Sequence, residues 1–135
     1  MRLVLDTNVY IAAFLGKGLA SDILRLGQRK KVRLFTSQAI LKEIKKKLTY
    51  KFRVEKSIVN DFLDLIQQSS TIVNPRQTLT VIKADPEDNK ILECAKEAKA
   101  NLIISMDKHL IRLKSYGTIG IVHPKTLTWI IPKLL

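Results

Sequence analysis

The sequence predicts an α/β domain, a three-layer sandwich with a mostly parallel central sheet and helices on both faces, formed as a single domain over residues 1–135. Three observations carry this. Short apolar runs that read as strands alternate with longer stretches whose apolar residues recur at helical spacing. Parallel neighbouring strands need crossover connections, and such helices supply them. A chain of 135 residues, 46% hydrophobic and 27% charged, can bury one core without disulfides or a structural metal.

The elements follow in order. Residues 2–5 form the first strand, closed by Asp6. Gly16 and Gly18 predict a flexible turn after it, with a tip that can lie over the strand's end. A helix is expected over 19–28, a strand over 32–35, and helices over 38–48 and 55–68 before a strand over 71–73. Residues 74–80, with Pro75, are loop-rich but too short to separate two domains, and Val81 and Ile82 are too few to decide a strand. Asp85, Pro86, Glu87 and Asp88 read as a helix start, with Asp85 as cap, Pro86 at the first helical position and Asp88 three residues past the cap. The helix runs over 87–98; a strand over 102–105, a short helix over 108–114, a strand over 119–122 and a closing helix over 125–131 complete the chain. No internal repeat or low-complexity tract interrupts this order.

Composition narrows the partners. Twenty-four Lys and Arg against twelve Asp and Glu leave a formal charge of +12, which favours a polyanion, nucleic acid first. A thermophile's ion-pair surface would bring glutamate along with lysine, and here the acids are outnumbered. The single cysteine, Cys94, has no internal disulfide partner and reads as a small buried hydrophobe, in keeping with a reducing compartment. Asp6 and Asn8 break the apolar opening, which a signal-peptide core would not tolerate, and no stretch is long enough to span a bilayer. A cytoplasmic protein without a membrane partner is expected.

Ligands of open α/β sheets bind beyond the carboxyl ends of the strands. Asp6 follows the first strand and Asp107 stands two residues past Ser105 at the end of the most apolar one, so the two can share one crevice; each can equally cap the next helix. Asp85 and Asp88 have the same two readings, because capping engages only part of a carboxylate's acceptor capacity. Glu43 lies on the 38–48 helix roughly 110° from the centre of its Ile40, Leu41, Ile44 and Leu48 stripe, at the rim. Its alternative role is an ion pair with Lys47 four residues on.

The runs LVLDTNVYIAAF, DPEDNKILECAKEAKANLIISMDKHL and IGIVHPKTL, with an isolated acid on the second helix between them, resemble the PIN-domain ribonucleases, and among them the VapC-like toxins of type II toxin-antitoxin pairs. The likeness extends over essentially the whole chain. It implies a PIN-like fold and puts the metal-binding, catalytic acids on Asp6, Glu43, Asp88 and Asp107, with Thr7, Asn8 and Ser105 in support and Asp85 mainly a cap. It implies endonucleolytic hydrolysis of RNA to a 5′-phosphate and a 3′-hydroxyl, a small antitoxin that blocks the crevice, and a homodimer. Carboxylate oxygens suit one or two Mg²⁺ or Mn²⁺ ions, and no Cys/His cluster suggests zinc.

An acidic crevice cannot attract RNA alone, so basic side chains must hold the phosphates. Two runs are candidates: Arg29, Lys30 and Lys31, and Lys45, Lys46 and Lys47 leading into Lys51 and Arg53. Tyr50 and Phe52 interleave with the second run; they can stack on unpaired bases, though buried packing is the expectation at this spacing. His109 and His123 read as a helix-surface residue and a turn residue before Pro124. Two alternatives remain. A phosphatase of the haloacid dehalogenase type would carry a second Asp two residues after the first, where this chain has Asn8, and a non-catalytic PIN-like module would bind RNA or protein without cutting.

Overall fold

The computed structural model describes residues 1–82 and 86–130. Its elements run β1 (Arg2–Leu5), α1 (Thr7–Phe14), α2 (Gly18–Gln28), β2 (Arg33–Thr36), α3 (Gln38–Lys46), a π-helical turn (Lys47–Lys51), α4 (Lys56–Ser69) and β3 (Ser70–Ile72). They continue with α5 (Pro86–Ala98), β4 (Leu102–Ile104), α6 (Lys108–Leu113), β5 (Ser115–Tyr116), β6 (Ile119–Val122) and α7 (Pro124–Ile130). The strands form one sheet in the order β3-β2-β1-β4-β6-β5, parallel throughout except for β5. The predicted α/β class therefore holds.

β1 is the centre of this arrangement. Leu3 stands in register with Leu34 of β2 on one side and Leu102 of β4 on the other. Its residues Leu3, Val4 and Leu5 are buried, as a strand covered on both faces requires. The chain leaves β1 toward β2 and β3, then returns across the sheet to β4 and β6. With right-handed crossovers this reversal puts α1 to α4 on one face and α5 on the other. In the packing, α1 meets α2 and α3, α2 meets α4, and α5 lies on β1, β2 and β4 while also touching α3. The point of reversal lies between β1 and β4, where doubly wound sheets open a crevice at their carboxyl edge.

Two elements differ from the sequence expectation. The segment after β1 is a helix, α1, and not a turn; only its end is punctuated by Gly16 at φ +75°. Val9, Tyr10 and Ile11 are buried and Ala12 to Phe14 pack against the core, so α1 lacks the polar face that makes a surface helix legible. The second, β5, is two residues long and pairs antiparallel with β6 through Tyr116 and Ile119, too short to leave an alternating pattern. Val81 and Ile82 form no strand; Ile82 is instead held by the Asn89 side chain, which accepts from its N–H at 2.8 Å and donates to its carbonyl at 2.7 Å.

Packing is close where α2 meets β2. A methyl group on Gly27 would collide with the Leu34 side chain, so the helix approaches the strand only because that position has none. Cys94 is buried on α5 as expected, and burial pushes its thiol up to about 12. Among the described residues no helix is long and apolar enough to cross a membrane.

Candidate active site

The carboxyl edge is assembled from the strand ends outward. Past the last residue of β1, the Asp6 N–H donates to the Ile104 carbonyl at 2.9 Å, so the chain stays tied to β4 as it turns into α1. The Asp6 side chain is 5% exposed. Its Oδ1 accepts the Thr7 N–H at 2.6 Å and its Oδ2 accepts the Ser105 hydroxyl at 2.7 Å. Ser105 Oγ in turn accepts the Asp107 N–H at 2.9 Å. One serine thereby joins the two strand-end acids.

Asp107 also caps α6, its Oδ1 accepting from the N–H groups of His109 at 2.8 Å and Leu110 at 3.3 Å. Asp6 caps α1 through Thr7. Both readings of these residues are thus realised together, because a helix that starts directly after a strand puts its cap at the strand's end. The N-termini of α1 and α6 meet beside the same strands, and the two carboxylates satisfy N–H groups there and complement the helix dipoles.

Burial pushes the Asp6 carboxyl above the usual carboxylate range. The Ser105 and Thr7 hydrogen bonds pull it down, the neighbouring Asp107 raises it, and the Lys47 ammonium lowers it. Desolvation prevails, so charged Asp6 is held at a cost that a cation would relieve.

Lys47 bridges the rim. Its Nζ donates to Asn8 Oδ1 at 3.1 Å and lies 3.9 Å from Glu43 Oε1. The expected Glu43–Lys47 pair therefore forms, and Glu43 shares that lysine with Asn8 in the first turn of α1. Thr7 is buried and Asn8 exposed. The influence of Lys47 on Asp6 was not legible beforehand, although its four-residue spacing from Glu43 was the signal that the two share a face.

Asp88 is 6% exposed in the first turn of α5. That helix runs back toward the start of β4, so its N-terminus lies at the carboxyl edge of the sheet. Asp85 lies outside the described residues. Farther along α5, buried Glu93 accepts the Leu79 N–H at 2.9 Å; with Asn89 it fixes the approach of the chain to this helix, a positioning role that the sequence did not reveal.

Among the described residues, no three His, Cys, Asp or Glu side chains stand close enough to enclose a metal ion. The donors nevertheless suit a hard cation: they are carboxylate and amide oxygens, and the central one is desolvated and faces a second acid. Glu43 pairs with Lys47.

The basic runs separate. Arg29, Lys30 and Lys31 are exposed at the turn from α2 into β2, beside the start of the strand and so at the sheet edge opposite the crevice. Lys45, Lys46, Lys51 and Arg53 are exposed along and beyond α3, next to the rim. Tyr50 and Phe52 correct the expectation of buried packing: they are 78% and 39% exposed. Tyr50 follows the stripe residue Leu48 by two positions, about 200° round a helix, and so points outward. His109 sits in α6, and His123 accepts the Lys125 N–H through Nδ1 in the turn before α7.

A parallel sheet with two linked acids, Asp6 and Asp107, at its switch point is the plan of an α/β domain that works at its carboxyl edge. A family model described as PIN domain matches residues 2–109. The chain belongs to the PIN domain family. Among solved structures, a chain of VapBC2 from Rickettsia felis, crystallised bound to a DNA fragment from the promoter, is similar with a TM-score of 0.63 and 16% identity, over 90% of this chain and 97% of that one. At that identity the likeness speaks for the fold. Comparison with curated proteins gave no match.

Proposed function

We propose that the chain is a metal-dependent endoribonuclease that hydrolyses RNA phosphodiester bonds with one or two Mg²⁺ or Mn²⁺ ions, held by Asp6, Asp88, Asp107 and Glu43. The observation that carries this reading is the unit of Asp6, Ser105 and Asp107, two acids joined by one buried hydroxyl at the switch point of the sheet. A divalent ion bound there supplies Lewis-acid stabilisation of the phosphate and an activated water for in-line attack on phosphorus. The protein's own residues do the rest. Thr7 and Ser105 fix the Asp6 carboxylate in one orientation. Lys47 shares the rim with Asn8 and Glu43 and adds an ammonium that bears on Asp6.

Family membership and the VapBC2-like fold support a toxin partnered by a small antitoxin, acting in the cytoplasm and pairing as a homodimer. The test is cleavage of structured RNA with Mg²⁺ or Mn²⁺, with chelator, and by Asp6→Asn. Cutting only by the metal-supplied wild type is expected; equal cutting in all three sinks the proposal. The Glu43–Lys47 pair, which engages one of the four acids, favours a second reading, a PIN module that binds RNA without cutting. RNA binding with no cleavage under any of the metals would select it.

A further inference from the structure

α3 carries a second face that the crevice does not use. Lys42, Lys45, Lys46, Thr49, Tyr50 and Lys56 line a groove of about 520 Å³. Four ammonium groups and an aromatic ring surround it, and among the described residues no acid lines it. Like charges this close repel within a Debye length, and a tyrosine 78% exposed contributes little to the core, so folding explains neither feature. The backbone here is also unusual. α3 runs into a π-helical turn closed by the Phe52 N–H on the Lys47 carbonyl at 3.1 Å, and Arg53 takes φ +52° without being glycine. The left-handed conformation recurs at Lys30, Lys99 and Lys114, so of the two features it is the π-helical turn that sets this segment apart among the described residues.

We infer that an unpaired RNA strand docks in this groove, a base stacking on Tyr50 and the flanking phosphates lying on Lys42, Lys45, Lys46 and Lys56. Both features fit one ligand: phosphates need the ammonium groups, and an exposed ring needs a π-face to cover it. A duplex offers the charge but hides its base faces inside the stack. The position fits as well. The Glu43 and Lys47 stripe lies about 100° round α3 from the lysine stripe, and Lys47 touches Asn8 at the crevice. A strand in the groove reaches the acids by crossing one helix, about 10 Å. This inference rests on the ribonuclease reading for where the strand leads, but the docking itself is tested without cleavage.

The experiment is fluorescence anisotropy with a labelled uridine 12-mer in chelator, its integrity checked on a gel. It compares wild type, Tyr50→Ala, Tyr50→Phe and the double variant Lys45→Ala with Lys46→Ala, all at exposed positions and checked for folding by circular dichroism. Tyr50→Ala should weaken binding roughly tenfold, the loss of one stacked base, and Tyr50→Phe should keep it within about twofold. The double lysine variant should flatten the salt dependence, by roughly 0.7 in slope for each contact removed. A 12-base-pair RNA duplex should be indifferent to Tyr50→Ala. Oligouridine binding unchanged by Tyr50→Ala, or a duplex equally sensitive to it, overturns the inference. So does a polyglutamate peptide that alone loses affinity in these variants, which would assign the groove to an acidic protein. Groove variants that bind as expected while the wild type never cuts RNA would refute the nuclease reading and leave the docking site standing.

Discussion

Ser105 and Asp6, 99 residues apart in the chain, are joined by a 2.7 Å hydrogen bond, and the same Ser105 oxygen takes the Asp107 N–H. The hydroxyl has one proton and gives it to Asp6, so its lone pairs are free to accept from Asp107. Ser105→Ala should therefore loosen both acids at once. Loss of a buried hydrogen bond and the desolvation left on its partners costs about 1–3 kcal/mol, read as a lower urea midpoint. RNA cleavage should fall more than substrate binding does, with kcat bearing the loss.

Asp6→Asn should abolish cleavage and yet stabilise the protein at neutral pH. Burial raises the folded Asp6 carboxyl above its ordinary value of 3.8, so its contribution to stability is present below that value and is lost as pH rises through the folded one. At pH 7 the charged carboxylate weakens the fold, and the amide removes that penalty. A gain of roughly 3–5 °C in Tm corresponds to about 1 kcal/mol in a domain of this size. The gain should shrink as the pH is lowered through the raised folded value and vanish below the ordinary value of 3.8. Added Mn²⁺ should raise the Tm of the wild type and not of Asp6→Asn, since only a state that binds the ion is stabilised by it.

Lys47→Met separates electrostatics from packing. The ammonium holds Asp6 lower than burial alone would, so without it Asp6 ionises only at higher pH. The acid limb of the pH–rate profile should move upward. Stability should change by less than about 0.5 kcal/mol, the usual size of a partly exposed pair four residues apart on a helix. An unmoved acid limb would show that Lys47 does not act on Asp6.

Gly27→Ala tests the packing that supports β2. The new methyl group meets the Leu34 side chain, so either the helix or the leucine must shift, at about 1–3 kcal/mol. The urea midpoint should drop accordingly. Gly18→Ala, where a methyl group meets open space, provides the control and should be tolerated.

Much of this was legible in the residue order. The periodicities gave five of the six described strands and every described helix except α1, and the positions of Asp6 and Asp107 after apolar runs marked the carboxyl edge. α1 was missed because a helix buried nearly all round has no polar phase to read, and β5 because two residues carry no alternation. Glu43 shows the same limit at the site. Its spacing permitted both a helix ion pair and a crevice position, and only the packing of α3 on α1 makes the two compatible.

The sequence by itself determined the α/β class, the family likeness, the excess of basic charge and which acids could gather. Those properties are local in the chain: apolar period, cap chemistry, composition. Tertiary structure alone decided which groups share an environment. It brought Ser105 to Asp6 across a parallel strand pair, set Lys47 against Asn8, sent Arg29 to Lys31 to the far edge, and left Tyr50 in the open among lysines. Such contacts depend on the order of strands in the sheet and the rotation of each helix about its axis, which long-range packing sets.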